Sequence, residues 1–348
     1  MIKKKILSEI IKNKNPISLE KFIEFCLYNK FGYYNNSLVL GKKGDFVTSP
    51  EISQLFGEII GLFILNDWSI NINDKFNLVE LGPGKGTLMR DIINITKKFS
   101  TFNKMINIHL IEKNTLLTNI QKKLLKNYLR SYQINWSKNF NIKNKLPCLI
   151  FANEFFDCFP IQQFYKKNNK WLKKMIDINL SANSIKFIDK PITTKDQLIK
   201  IEQYKPNNVL EFSNSREKYF NKICKHINTF GGKIIIVDYG YYERPNYFTL
   251  QSVYNNKKSN ILDNIGLQDI TSLVDFKKLI EIAETNKLKI ENFLTQREFF
   301  LRYGIKERLK ILIEKSTKDQ KKIIESGMDR IINKDKMGNL FKILIVSK

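Results

Sequence analysis

Two stretches of this sequence carry residue types better suited to chemistry than to packing. The first is Val79-Glu80-Leu81-Gly82-Pro83-Gly84-Lys85-Gly86-Thr87. Glycines at alternate positions let a backbone turn tightly and let a ligand approach with no Cβ in the way. A dinucleotide site prefers GxGxxG, which seats a pyrophosphate on a helix N-terminus. Here the spacing is GxGxG, and Glu80 stands just before the turn, where a carboxylate would oppose a pyrophosphate. It suits a phosphate-free ligand with a cationic amino-acid end. S-adenosylmethionine, with an α-ammonium and a sulfonium, is such a ligand. Glu112 closes the next apolar run, where a carboxylate can accept hydrogen bonds from both ribose hydroxyls. The expected cofactor contacts are Glu80, Gly82, Gly84, Gly86 and Glu112, with Trp136 either stacking on adenine or packing in the core.

The second stretch is Asn153-Glu154-Phe155-Phe156-Asp157, two carboxylates and an amide around two aromatic rings. Two more segments join it. Gly44-Asp45-Phe46-Val47-Thr48-Ser49-Pro50-Glu51 has loop composition without periodicity, and such loops commonly carry function. It reads as a lid over the cofactor, with Asp45, Thr48 and Glu51 as polar contacts. The competing account is a turn with Ser49 as N-cap of a helix that Pro50 opens. Asp238-Tyr239-Gly240-Tyr241 ends another apolar run, and Tyr239 or Tyr241 could line a substrate channel or lie buried with a satisfied hydroxyl.

The elements that must position these residues follow from periodicity. Residues 19–28 have helical spacing, and a helix is expected from Pro50 to Trp68. Strands are expected at 76–81, 107–112, 133–136 and 147–153, with helices at 87–99 and 115–128 between them. From 161 to 188, short aromatic and β-branched segments separated by Lys-Asn turns read as hairpins. Further helices are expected at 215–228, 275–285 and within 298–332, and strands at 233–238, 288–294 and 340–346. Strands alternating with helices specify a parallel sheet covered on both faces. The expected fold is α/β, a Rossmann-like sheet of roughly seven strands, with an N-terminal helical segment and a mid-chain β-rich insertion. The expected parts are an N-terminal helical and lid segment over 1–72, a cofactor-binding core over 73–160, the insertion over 161–210, and the remaining core with a helical substrate-side insertion over 211–348.

Composition excludes several classes. At 348 residues and 43% hydrophobic content the chain can bury a large core. No run approaches the roughly 20 apolar residues that span a bilayer, so no membrane insertion is expected. Lys3-Lys4-Lys5 is followed by no apolar h-region, which reads against a secretory signal and for a cytosolic chain. Cys26, Cys148, Cys158 and Cys224 form no CxxC pair, and His109 and His226 are not spaced with them as ligands, so neither metal nor disulfide is expected. The net charge of +25 invites a nucleic-acid partner. The lysines are scattered among Asn and Ile, and no base-reading pattern is present, so a basic solvated surface is the preferred reading.

Longer segments resemble a known family. They are FGYY at 31–34, GDFVTSPEISQLFGE at 44–58, LVELGPGKGTLMRD at 78–91 and ANEFFDCFPIQQF at 152–164, then VDYGY at 237–241, TLQSV at 249–253, DITSLVDF at 269–276 and MGNLFK at 337–342. Over nearly its whole length the chain resembles the methyltransferases that include the mitochondrial complex I assembly factor modifying an arginine, and its bacterial relatives. The resemblance implies S-adenosylmethionine as cofactor and a protein arginine as acceptor, on a core subunit of the respiratory NADH dehydrogenase. It implies the cytoplasm if the source is bacterial and the mitochondrial matrix if eukaryotic, and leaves a homodimer open. With an arginine as acceptor, Glu154 and Asp157 would hold the guanidinium, whose donor fork matches carboxylates. Asn153 would position the attacking nitrogen or the cofactor, and Gln251 would lie near the site. The competing account for Glu154 and Asp157 is that they staple the loop. Family members often carry a histidine after the TLQ segment, where this chain has Asn255-Asn256, and another where it has Leu273, so roles of those histidines do not carry over. Two other functions remain: a methyltransferase for RNA or a small molecule, and an assembly chaperone that binds the cofactor.

Overall fold

The computed structural model describes residues 2–13, 15–35, 48–179, 181–182, 184–314 and 316–348. The chain divides into two compact units. One comprises Met1–Phe46, Asp157–Tyr219 and Tyr241–Lys277; the other comprises Val47–Phe156, Phe220–Gly240 and Lys278–Lys348. The expected segment 1–72 is thus shared between the two, and 211–348 contributes to both.

The second unit is built on a sheet whose main path has seven strands: β1 (Phe76–Leu81), β2 (Ile106–Ile111), β3 (Gln133–Ser137), β4 (Cys148–Asn153), β5 (Gly232–Tyr241), β6 (Lys289–Thr295) and β7 (Phe341–Ser347). Their order is β3-β2-β1-β4-β5-β7-β6. Neighbours from β3 to β5 are parallel, and β7 runs antiparallel to β5 and β6. All of β1 is buried, as is expected of parallel strands covered on both faces. The chain steps outward from β1 to β3, then returns to the other side of β1 for β4. That reversal opens a crevice at the carboxyl ends of β1 and β4. Leu81 is level with Ala152 and Val237 with Asn153, so the Glu80, Asn153 and Asp238 segments leave the sheet side by side.

Helix boundaries differ from expectation where hydroxyl side chains compete for the backbone. The single helix from Pro50 is two. Ser49–Ile52 forms one turn with Thr48, not Ser49, at the N-cap position. Ser53 is extended (φ −153°, ψ 129°) and caps α1 (Gln54–Asn71) by accepting from the Leu55 N–H. Helix α2 (Thr87–Thr96) stops short of Phe99, with the Thr96 hydroxyl donating back to the Ile92 carbonyl. Helix α3 (Thr115–Leu124) gives way to a 3₁₀ turn at Lys126–Tyr128.

The first unit holds two antiparallel sheets. Gln162–Lys167, Lys170–Asn179, Ser184–Pro191 and Val209–Phe212 supply four strands of one, and Ile17–Ser18 adds a fifth by pairing with Ile176 and Met175. The second comprises Gln251–Tyr254, Lys257–Ser259 and Asp269–Thr271. The helix Leu19–Tyr28 buries Phe22, Ile23 and Leu27 in a core that includes Ile161, Ile176 and Ile270.

Two of the hairpins turn on Asn-Asn pairs. Asn168 and Asn169 have φ of 48° and 59°, and Asn255 and Asn256 have 50° and 59°. Two consecutive left-handed residues make the two-residue turn that matches strand twist, and Asn tolerates them. Asn255-Asn256 thus has a structural reason of its own. Asn255→Val should cost about 1–2 kcal/mol by forcing a β-branched side chain into the left-handed region, whereas Asn255→Gly should be near neutral. Thermal unfolding of the two variants checks this.

Candidate active site

The turn after β1 places Gly82, Gly84 and Gly86 at φ of 62°, 53° and 86°. Two of these glycines answer different demands. A Cβ on Gly82 would lie 2.8 Å from the Phe155 ring, so the ring's close approach requires glycine there. A Cβ on Gly84 would meet nothing within 4 Å among the described residues, so this glycine faces open space from which a ligand can reach the backbone.

Beneath the turn lie two buried acids. Glu80 is 4% exposed, and its Oε2 has no hydrogen-bond partner among the described residues. Burial, and then the nearby carboxylates of Glu112 and Asp91, push its pKa up to about 8. Glu112 ends the neighbouring strand and accepts from the Asn114 N–H at 2.8 Å. Burial raises its pKa too, against the lowering effect of its hydrogen bonds. A buried carboxyl with one oxygen unmet among the described residues, beside an open glycine, fits a cationic, phosphate-free ligand.

Sequence reasoning missed Gln121, which is fully buried on α3. Its Nε2 donates to the Gly84 carbonyl at 2.7 Å and to Glu112 Oε2 at 3.5 Å, and its Oε1 accepts from Trp136 Nε1 at 3.1 Å. The only sequence signal was a polar residue on an apolar helical stripe with Leu117.

The Asn153-Glu154 segment leaves β4 through a strained residue. Glu154 has φ of 49°, uncommon for a non-glycine, and its N–H donates to the Val237 carbonyl at 2.9 Å. Asp238, with no exposed surface, accepts from the Phe155 and Phe156 N–H groups at 3.2 and 2.9 Å. Glu154 Oε1 in turn accepts from Asn153 Nδ2 and from the Ser49 N–H, each at 3.1 Å. Part of the Glu154 carboxylate therefore does staple a loop. Asn153 Oδ1 is buried without a hydrogen-bond partner among the described residues. Glu51 pairs with Lys85 of the glycine turn at 3.0 Å, and the Thr48 carbonyl accepts from the Glu51 and Ile52 N–H groups. Asp45 lies outside the described residues. Tyr239 is 7% exposed, and its ring stands edge-on to Phe341 at 5.3 Å.

Asp157, Tyr241 and Gln251 belong to the other unit. Asp157 is 2% exposed, and its carbonyl accepts from the Ser272 N–H at 3.0 Å. The Tyr241 hydroxyl has its pKa raised by burial. Gln251 donates to the Thr271 hydroxyl at 3.4 Å across its sheet. Glu211, also missed, holds the Thr249-Leu250 backbone through the Thr249 N–H and hydroxyl and the Leu250 N–H.

The strand order, the glycine turn after β1 and the acids ending β1 and β2 define a Rossmann-like methyltransferase fold. Residues 59–294 match the family described as "Putative S-adenosyl-L-methionine-dependent methyltransferase", and the chain belongs to that family. It is 32% identical to the mitochondrial protein arginine methyltransferase NDUFAF7 of Xenopus tropicalis, over 97% of this chain and 83% of that protein. It is also 32% identical to the NDUFAF7 homolog of Caenorhabditis elegans, over 93% of this chain and 82% of that one. A Burkholderia thailandensis structure solved bound to S-adenosyl-homocysteine is 19% identical, with a TM-score of 0.86 over 100% of this chain and 92% of that one, a likeness of fold.

The raised Glu80 pKa makes a stability prediction. Between its ordinary value of 4.5 and about 8, the unfolded chain has lost the Glu80 proton and the folded chain keeps it. Folding then weakens as pH rises, by about 1.4 kcal/mol per unit from this group, and the slope vanishes above about 8. Denaturant titrations from pH 5 to pH 8 should show this slope reduced in Glu80→Gln, with the variant gaining most at the alkaline end.

Proposed function

We propose that the chain is an S-adenosylmethionine-dependent protein arginine methyltransferase in which Glu154 orients the acceptor guanidinium. The observation that carries this reading is the left-handed turn at Glu154, which sets a partly exposed carboxylate at the end of β4, next to the glycine turn that ends β1. The names of the relatives support arginine as the acceptor. Bound at the turn, the cofactor would supply a methyl group on a sulfonium leaving group.

Glu80, Gly82, Gly84, Gly86 and Glu112 would hold that cofactor, with Trp136 against its base. Glu80 would face its cationic end and Glu112 its ribose hydroxyls. Displacement at a methyl carbon needs an aligned, electron-rich nitrogen more than it needs acid catalysis. A carboxylate meets both needs: it accepts guanidinium N–H bonds in a fixed plane and stabilises the cation until a proton leaves. Asn153, bonded to Glu154, fixes the direction of that carboxylate. Asp157, which sequence reasoning grouped with them, is buried, and the proposal gives the orienting roles to Glu154 and Asn153.

We extend the proposal to the physiological acceptor, an arginine on a core subunit of respiratory NADH dehydrogenase. It is supported by the segments at 44–58 and 152–164. The relatives' designation as mitochondrial supports the matrix as the compartment for a eukaryotic source.

Glu154→Gln keeps an oxygen for the Ser49 N–H but loses the charge. It should lower kcat by about a hundred-fold or more while leaving S-adenosylhomocysteine affinity intact. Glu112→Ala should do the reverse, weakening cofactor binding about ten-fold. Calorimetry and mass-spectrometric methylation assays on the purified subunit measure both effects. Unchanged turnover in Glu154→Gln would reject the assignment.

A further inference from the structure

Helix α3 exposes Leu116 and Ile120 and buries Leu117 and Gln121. Position 121 is therefore a core position, where an apolar residue is the default and an unsatisfied amide would be costly. The Gln121 amide is not unsatisfied. Its donor group serves Gly84 and Glu112, and its oxygen serves the Trp136 indole N–H. Its methylene stem also limits the turn, since a Cβ on Gly86 would come within 3.3 Å of Gln121 Cγ. One side chain thus touches the glycine turn, the ribose-side acid and the aromatic ring, which approach from three separate elements.

We propose that Gln121 is a positioning residue for the cofactor, setting the register between the glycine turn, Glu112 and Trp136. The proposal rests on the cofactor assignment above. A buried, fully connected polar network fixes one geometry because every alternative leaves a donor or acceptor unmet. Gln121 supplies two donors and an acceptor on one rigid plane. Leucine would fill the space and suit the helix, but would leave the Gly84 carbonyl and the Trp136 N–H unmet. Glutamate would keep the acceptor toward Trp136 and turn acceptors toward Gly84 and Glu112.

The test is calorimetric binding of S-adenosylhomocysteine to the full chain, with steady-state kinetics alongside. Gln121→Leu should weaken binding by about ten- to a hundred-fold, raising the KM for the cofactor and leaving the KM for the acceptor unchanged. Its penalty should shrink in a Trp136→Phe background, because the two side chains act as a unit. Gln121→Glu should bind poorly at pH 8 and move toward wild type at pH 6, where the protonated carboxyl regains a donor. That pH recovery is unexpected of a residue that only fills space, and it decides the matter if the leucine variant does not fold. Wild-type binding with either an unaffected Gln121→Leu or simply additive penalties overturns this proposal alone. A wild-type chain that binds no cofactor product overturns the cofactor reading and this proposal together.

Discussion

The Asp238 carboxylate, wholly buried at the end of β5, is the constraint from which the geometry of the site follows. It accepts from three backbone N–H groups, those of Phe155, Phe156 and Tyr239. Hydrogen bonds to a charged acceptor contribute about 1.5–3 kcal/mol each, whereas one left-handed non-glycine residue costs about 1–2 kcal/mol. The turn at Glu154 is therefore held against its own backbone strain. With that turn fixed, the Phe155 ring lies where Gly82 can have no Cβ. The glycine turn is seated in its place, and Gln121 carries its position on to Glu112 and Trp136. Geometry passes from β5 to β4, β1, β2 and β3 through contacts of hydrogen-bond or van der Waals length.

The electrostatics of the site run opposite to those of the chain. Glu80 and Glu112 crowd beneath the turn with Asp91 behind them, and Arg90 is engaged with Asp91. A buried carboxylate is costly when ionised and unpaired, so it keeps its proton until a cation arrives. Such a site offers a phosphate no cation to pair with, and it favours a cationic ligand, whose arrival lets the carboxyl ionise. The GxGxG spacing and the preceding glutamate express one preference in backbone and side chain respectively.

Much of this was legible in the residues. Runs such as FNLVEL and CLIFAN are apolar because parallel strands are covered on both faces, and they mark β1 and β4 nearly to the residue. The glycine turn was legible because glycine takes left-handed dihedral angles without steric cost, and three glycines alternate there. What was hidden depends on partners remote in sequence. Asp238 is 83 positions from the Phe155 amide it accepts, and Glu211 is 38 from Thr249. Neither leaves a local pattern. Ser53 was hidden differently: a hydroxyl within an apolar helical period gives no sign that it will leave the helix to cap the next one. The pairing of Ile17–Ser18 with the mid-chain strands is too short for any periodicity to reveal.

The net charge of +25 and the acidic site are compatible because they act over different ranges. Exposed lysines are screened over about 8 Å at physiological ionic strength, so their summed field is weak beyond that range. Inside the crevice, low polarisability makes one carboxylate outweigh many solvated ammonium groups. The same argument explains why the charge count misleads when read alone: it measures the solvated exterior, whereas the buried acids of the site have their ionisation set first by burial and then by their neighbours.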